Sequence, residues 1–132
     1  MSAMTQRGAR VPERRRAPRV NSRLPVILTD AARDIIAYTR NISALGAYCT
    51  LRRFIAPMTK LQVRVEIPGR STPTQIVCRG VVVRTDPPTA TRRPSRCHVA
   101  IFFNELTDGD RVRLARYVQQ QLHLAKPRVT TR

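Results

Sequence analysis

The most constraining feature of this sequence is the alternation of apolar and polar residues from Lys60 to Ile67. The apolar residues occupy every second position: Leu61, Val63, Val65 and Ile67. Successive side chains of a β-strand point to opposite faces of its sheet. The pattern therefore predicts a strand with one buried face, and Pro68–Ser71 supplies the turn that ends it.

Further segments have the composition of short strands: Arg23–Thr29, Ile35–Ile42, Ala47–Leu51, Thr74–Thr85 and Cys97–Phe103. In the second of these we place Ile36, Tyr38 and Ile42 on one face, although Arg40 falls on the same face. The turn residues between the second and third strands predict a hairpin. Gly80 interrupts the long fifth strand, at a position typical of a bend in a barrel.

A helix is predicted after the last strand. The segment Thr107–Asp110 resembles a capping box, with acidic groups at the positive end of the helix dipole. The apolar residues that follow have helical spacing: Val112, Leu114, Ala115, Val118 and Leu122. Six short strands and a terminal helix predict a mainly β fold, a six-stranded antiparallel β-barrel with a C-terminal α-helix packed on it.

Charge is the unusual property of the composition. The 132 residues have a formal net charge of +17, and all but two of the 25 basic residues are arginine. The planar guanidinium matches phosphate and the edge of guanine, whereas lysine is a point charge. The composition therefore favours a polyanion or nucleotide partner, and a solvated basic surface is the alternative.

Several classes of protein are disfavoured by what the sequence lacks. No run approaches the roughly 18 apolar residues of a membrane-spanning helix, and residues 1–23 lack the apolar core of a signal peptide. Cys49, Cys78 and Cys97 lie in strand-like runs, which indicates buried reduced thiols. His98 and His123 have no partners at ligand spacing, so we expect no metal site. These features predict a cytoplasmic protein without membrane insertion.

Two motifs contain the candidate binding residues. The basic run Arg14–Arg19 precedes the first strand, and Pro18 favours an extended linker there. The turn from Asn41 to Gly46 has the form N-x-S-x-x-G. A pattern R-x-x-x-R, such as Arg15 with Arg19, would occur about 4 times by chance in a chain so rich in arginine. The order of the two motifs before and after the first two strands makes the pair more specific.

In this context the chain resembles the PilZ-domain family, bacterial receptors for cyclic di-GMP, over residues 14–124. The resemblance implies that Arg15, Arg19, Asn41, Ser43 and Gly46 bind this ligand. It also implies that Arg14 helps to bind a self-stacked pair of ligand molecules. The sequence departs from the family pattern at three positions: Asn41 stands where aspartate is common, and Leu45 and Ala100 where glycine is frequent.

The chemistry of these residues suits a ligand with two phosphates and two guanines. A guanidinium can donate two parallel hydrogen bonds to guanine O6 and N7, stack on the base or pair with phosphate. Asn41 can accept hydrogen bonds from a guanine edge, and Ser43 can donate or accept. Gly46 can take a positive φ or allow close approach to the backbone. We expect ligand binding to order the arginine linker and change the surface shown to a partner.

We divide the chain into a disordered basic arm (1–13), a PilZ-like domain (14–124) and a flexible tail (125–132). No nucleophile–base pair or carboxylate dyad is visible, so we expect a receptor that is not an enzyme. Its expected partners are cyclic di-GMP, with no further cofactor, and a downstream effector protein; a homodimer is also considered. One alternative is a nucleic-acid-binding barrel, although the aromatic residues form no stacking ladder. The other is an interaction module that has lost its ligand.

Overall fold

The computed structural model describes residues 17–31, 33–69, 71–89 and 96–125. It confirms the predicted mainly β fold of six strands and a C-terminal helix. The strands are β1 (Pro25–Asp30), β2 (Arg33–Ile42), β3 (Gly46–Leu51), β4 (Lys60–Ile67), β5 (Thr74–Asp86) and β6 (Cys97–Glu105), and the helix is α1 (Asp108–Ala125). The predicted arm at residues 1–13 lies outside the described residues, as does the tail apart from Ala125.

The strands form a closed antiparallel barrel in the order β1-β2-β3-β6-β5-β4. Closure depends on the short strand β1, which pairs with β2 on one side and with β4 on the other. Val26, for example, lies opposite Ala37 of β2 and opposite Val65 of β4. The last strand, β6, pairs with β3. This pairing places β6 next to the turn that follows β2.

Strand β4 has the register that its alternating sequence predicts. Its buried side chains are Leu61, Val63, Val65 and Ile67. Gln62 and Glu66 are exposed, and Arg64 is half-buried. Because β4 pairs along its whole length with β5, this apolar face forms one continuous wall of the core.

The buried face of β2 differs from the prediction. The side chains that it buries are Ile35, Ala37, Thr39 and Ile42. Ile36 and Tyr38, which were predicted to share one face with Ile42, are exposed, as is Arg40. The register between β2 and β3 shifts at a bulge after Thr39, and the extra residue brings Ile42 to the inner face. The prediction that Ile36 and Tyr38 share a face with Ile42 was therefore wrong. Strict alternation makes no allowance for the extra residue at the bulge between these positions.

Strand β5 is irregular where its glycine predicts a bend. The register between β5 and β6 shifts between Arg79 and Gly80, and again between Val82 and Arg84. A Cβ atom on Gly80 would lie 2.8 Å from Cγ2 of Ile101. Gly80 thus allows β5 and β6 to pack closely at the bend.

Helix α1 packs against the barrel. Its N-terminus is capped as predicted, because the N–H of Asp110 donates to Oγ1 of Thr107 at 3.1 Å. Its buried side chains belong to the same core as the strands: Leu114, Tyr117 and Val118, with Leu122 partly buried. Val112 is 53% exposed, so its predicted place on the packed face was wrong. Within the described residues, no helix is long and apolar enough to cross a membrane.

The cysteines are free and buried, as predicted. Burial raises the pKa of Cys49 to about 12 and that of Cys78 to about 11. Burial also raises the pKa of Cys97. Thiols that stay protonated are poor nucleophiles, so these cysteines act as small apolar side chains of the core.

Candidate functional site

The structure brings Arg19 and Asn41 together although 22 residues separate them in the sequence. The guanidinium of Arg19 donates a hydrogen bond from Nη1 to Oδ1 of Asn41 at 2.7 Å. Arg19 is exposed, and Asn41 is half-buried at the end of β2. One residue of each of the two motifs therefore lies at the same place on the barrel surface.

A short backbone bridge places these two residues side by side. The N–H of Val20 donates to the carbonyl of Ile42, and the N–H of Ile42 donates to the carbonyl of Val20, both at 3.0 Å. Val20 and Ile42 are buried, which anchors the bridge in the core. The segment that follows Arg19 is thus paired with the end of β2. This bridge lies outside the β1–β2 pairing, which begins with Pro25 opposite Tyr38.

Ser43 forms the turn between β2 and β3. Its side chain is 1% exposed. Its hydroxyl accepts from the N–H of Leu45 at 3.1 Å and is 3.4 Å from the carbonyl oxygen of Gly46, to which it donates. The N–H of Ser43 donates to the same carbonyl at 2.8 Å. The serine therefore stabilises the turn, and its contact with ligand stays a prediction.

Gly46 is required by the approach of β6. None of the described glycines has a positive φ, so the first of the two expected reasons for Gly46 does not apply. A Cβ atom at this position would lie 2.2 Å from the carbonyl oxygen of Ile101. The neighbouring carbonyl of Leu45 accepts a hydrogen bond from the N–H of Phe103 at 2.8 Å. Close contact with the backbone of β6, together with this bond, holds the turn in position.

An exposed aromatic ring that the sequence analysis did not single out also borders the turn. Phe102 lies opposite Gly46 in the pairing of β3 with β6 and is 44% exposed. Residues directly opposite on antiparallel strands have Cβ positions about 5 Å apart on the same face. The exposed ring of Phe102 therefore lies next to the start of β3, at the turn that contains Ser43.

Sequence reasoning also missed the contacts that fix the segment from Ser22 to Leu24. The N–H of Leu24 donates to Oγ1 of Thr39 at 2.8 Å, and the hydroxyl of Thr39 donates to the carbonyl of Ser22. The hydroxyl of Ser22 hydrogen-bonds to that of Tyr117 on α1. Tyr117 could have been found, since it lies three residues after the apolar Leu114. Thr39 gives no sequence signal, because threonine is an ordinary strand residue.

The remaining predicted site residues, Arg14 and Arg15, lie outside the described part of the chain. Arg19, Asn41, Ser43 and Gly46 all lie at one end of β2 and β3. The structure therefore brings together four of the six predicted site residues, and the ligand-binding roles of all six stay predictions.

Comparison with known proteins assigns the family. The family model of the PilZ domain matches residues 13–120, which include both motifs. The chain belongs to the PilZ-domain family. Comparison with curated protein sequences gave no match.

Solved structures of PilZ proteins share the fold. The inhibitor of motility MotI/DgrA from Bacillus subtilis is 22% identical with a TM-score of 0.70, and the match covers 86% of this chain and 53% of that one. The PilZ domain of YcgR from Escherichia coli, in a structure with c-di-GMP, is 13% identical with a TM-score of 0.59, covering 85% and 94%. The PilZ domain of CeSA from a cellulose-synthesizing bacterium is 14% identical with a TM-score of 0.52, covering 80% and 99%. The chain thus spans about half the length of MotI/DgrA.

Proposed function

We propose that this chain is a non-enzymatic receptor for cyclic di-GMP that acts on an effector protein. The observation that supports the proposal most directly is the hydrogen bond between Arg19 and Asn41, which joins one residue of each family motif. The family to which the chain belongs supports the same ligand. The strongly basic charge of the chain suits a ligand with two phosphates.

In this proposal the arginines bind the charged and hydrogen-bonding edges of the ligand. A guanidinium has five N–H donors, and Arg19 uses one of them for Asn41. Arg15 precedes Arg19 by four residues, so an extended chain would place their Cα atoms at most about 14 Å apart. The two arginines can therefore contact opposite sides of one dinucleotide. Arg14 can reach a second, stacked ligand molecule.

The turn from Asn41 to Gly46 binds the base in this proposal. The amide oxygen of Asn41 has two lone pairs, so it can accept from a guanine N–H while it accepts from Arg19. Ser43 contributes by holding the turn, and its hydroxyl keeps limited capacity for a further bond. The exposed ring of Phe102 provides an apolar surface beside Gly46 on which a base can stack.

Binding is expected to change the segment that joins the ligand site to α1. The residues from Val20 to Leu24 contact β2 through backbone bonds, and Ser22 contacts Tyr117 on the helix. A ligand held by Arg19 would pull on this segment directly. The expected result is a changed surface at the segment and the helix, which an effector would recognise.

Isothermal titration calorimetry with cyclic di-GMP tests the proposal. Micromolar binding corresponds to about 8 kcal/mol, and each arginine–guanine contact supplies about 1–3 kcal/mol. We expect Arg19→Ala and Arg15→Ala each to weaken binding by about 10- to 100-fold in 150 mM salt. Arg116→Ala, which removes an exposed arginine of α1, is the matched control and should bind as the unmodified chain does.

A single-stranded oligonucleotide titrated at low and moderate salt distinguishes the alternatives. Tight oligonucleotide binding that falls steeply with salt, without any heat from cyclic di-GMP, would replace the proposal with a nucleic-acid-binding function. Absence of binding to both ligands would leave an interaction module without ligand. Equal losses in Arg19→Ala and Arg116→Ala would mean that only net charge matters, and would contradict the proposed site.

A further inference from the structure

A groove on the outer face of the barrel lies beside the segment that follows Arg19. Its volume is about 900 Å³, and it runs over the exposed side of β2 between residues 21–23 and the end of β3. The side chains relevant here are Arg23, Arg40, Arg52, Arg96, Ile36 and Tyr38. We call this surface the arginine groove.

The arginine groove is strongly positive. Among the described residues, the lining of the groove includes four arginines and no aspartate or glutamate. The ion pairs found within the described ranges use other arginines, namely Arg64, Arg79, Arg84 and Arg113. None of these ion pairs therefore neutralises an arginine of the groove. A partner with several negative charges would complement it.

The floor of the groove is apolar. Ile36 is 65% exposed and Tyr38 is 38% exposed, and both lie on the outer face of β2 because they alternate with the buried Ile35, Ala37 and Thr39. Two residues apart on a strand, they are separated by about 7 Å. A single exposed apolar side chain is common. Two adjacent ones bordered by arginines match a ligand that combines apolar and acidic groups.

The aromatic content of the groove favours a peptide over a nucleic acid. The guanidinium of Arg23 lies 4.1 Å from the centre of the Tyr38 ring, so one face of that ring is already covered. Ile36 has no π-face on which a base can stack. Single-stranded nucleic acids depend on successive aromatic stacking surfaces, whereas an extended peptide can place an apolar side chain on Ile36 and carboxylates on both sides.

We propose that the arginine groove docks an extended acidic segment of a partner protein. An apolar side chain of the segment packs on Ile36 and Tyr38, and its carboxylates pair with Arg40 and Arg52. The groove is a binding surface additional to the dinucleotide site, and its function does not depend on that site.

Selection from a yeast-displayed library of random twelve-residue peptides tests the groove. The full chain is used as bait in 150 mM salt, where interactions between exposed charges are screened beyond about 8 Å. Cells that also bind the double variant Arg40→Glu/Arg52→Glu are removed. We expect the enriched peptides to contain several acidic residues around at least one apolar residue. Enrichment of basic or neutral peptides, or no enrichment, would overturn the proposal.

The enriched peptide is then labelled and its affinity is measured by fluorescence anisotropy. Arg40→Glu/Arg52→Glu should weaken binding by about tenfold or more, because two attractions become repulsions. The control Arg33→Glu/Arg116→Glu makes the same change in net charge at exposed positions outside the groove, and should have less than a twofold effect. Equal losses in the two double variants would refute a local site.

A second pair of variants tests the apolar floor. Ile36→Ser should weaken the peptide by about fivefold through lost apolar contact. Met58→Ser removes a side chain that is 74% exposed elsewhere on the barrel, and should have no effect. An unchanged affinity for Ile36→Ser would contradict the proposed packing.

Two competitors separate this proposal from the other functions. A single-stranded oligonucleotide that bound the groove more tightly than the peptide, with the same sensitivity to Arg40→Glu/Arg52→Glu, would overturn the peptide assignment. The same double variant should retain its calorimetric titration with cyclic di-GMP. Loss of that titration would assign the groove to the dinucleotide and refute a separate docking surface. Loss of dinucleotide binding in Arg19→Ala alone bears only on the proposed function.

Discussion

Replacing Gly46 by alanine tests whether the turn after β2 is held by its contact with β6. The added Cβ would lie 2.2 Å from the carbonyl oxygen of Ile101, which is more than 1 Å inside ordinary contact. The obstacle is backbone in a paired strand, so neither side can move without disturbing the β3–β6 pairing. Overpacking of this kind costs about 1–3 kcal/mol. We expect Gly46→Ala to lose about 2–3 kcal/mol of unfolding free energy.

Urea unfolding followed by circular dichroism measures this loss, since the chain has no tryptophan for fluorescence. Gly109→Ala is the matched control. Its Cβ would lie 3.3 Å from the mobile guanidinium of Arg113 and would sit in a helix, where alanine is favoured over glycine. We expect the control to be as stable as the unmodified chain or slightly more stable. A Gly46→Ala variant with unchanged stability, or equal losses in both variants, would refute the argument from close approach.

Three further predictions concern the core and the site. Cys49 has a pKa of about 12 when folded and 9.0 as its ordinary value, so its contribution to stability should fall by about 1.4 kcal/mol from pH 8 to pH 10; Cys49→Ala should reduce that slope in urea unfolding. Thr39→Val leaves the buried N–H of Leu24 without its acceptor, and should cost about 1–3 kcal/mol in the same assay. Asn41→Asp replaces a neutral acceptor by a charged one beside Arg19, and should tighten cyclic di-GMP in calorimetry by about fivefold.

Each of these has an outcome that contradicts it. The sign for Cys49 follows from a folded pKa above the unfolded one: the thiol stabilises below pH 9.0 and loses that contribution as the pH rises toward 12. An unchanged slope in Cys49→Ala would contradict the assignment of this loss to Cys49. A Thr39→Val variant as stable as Thr29→Val, at a strand position where threonine is only half-buried, would show that the Leu24 bond is dispensable. Weaker ligand binding in Asn41→Asp would mean that the charge repels phosphate more than it attracts guanine.

The fold was predictable wherever a local pattern agreed with the final packing. The alternation from Lys60 to Ile67 predicted both the bounds and the buried face of β4, because each of its residues pairs regularly with β5. The cap at Thr107 was likewise readable, since capping depends on neighbours in sequence. Strands and caps of this kind need no knowledge of distant residues.

The errors occurred where distant residues decide the local structure. A bulge after Thr39 reverses the faces of β2, and nothing in its composition indicates which residue is the extra one. Val112 fits a helical period as well as Tyr117 does, yet Val112 is exposed, whereas Tyr117 is buried and hydrogen-bonds to Ser22. In the candidate site, the resemblance to the PilZ-domain family implied that Asn41 and Arg19 bind the same ligand. The resemblance did not indicate that the hydroxyl of Ser43 forms hydrogen bonds within its own turn.

Closure of the barrel limits the ways in which another protein can attach to it. All six strands have a hydrogen-bonded neighbour on each side, so the barrel offers no free strand edge to which a foreign β-strand could be added. Among the described residues, a partner protein would therefore contact side chains of the outer wall or of the helix. Because no strand edge is free, closure also disfavours edge-to-edge association of barrels into fibrils.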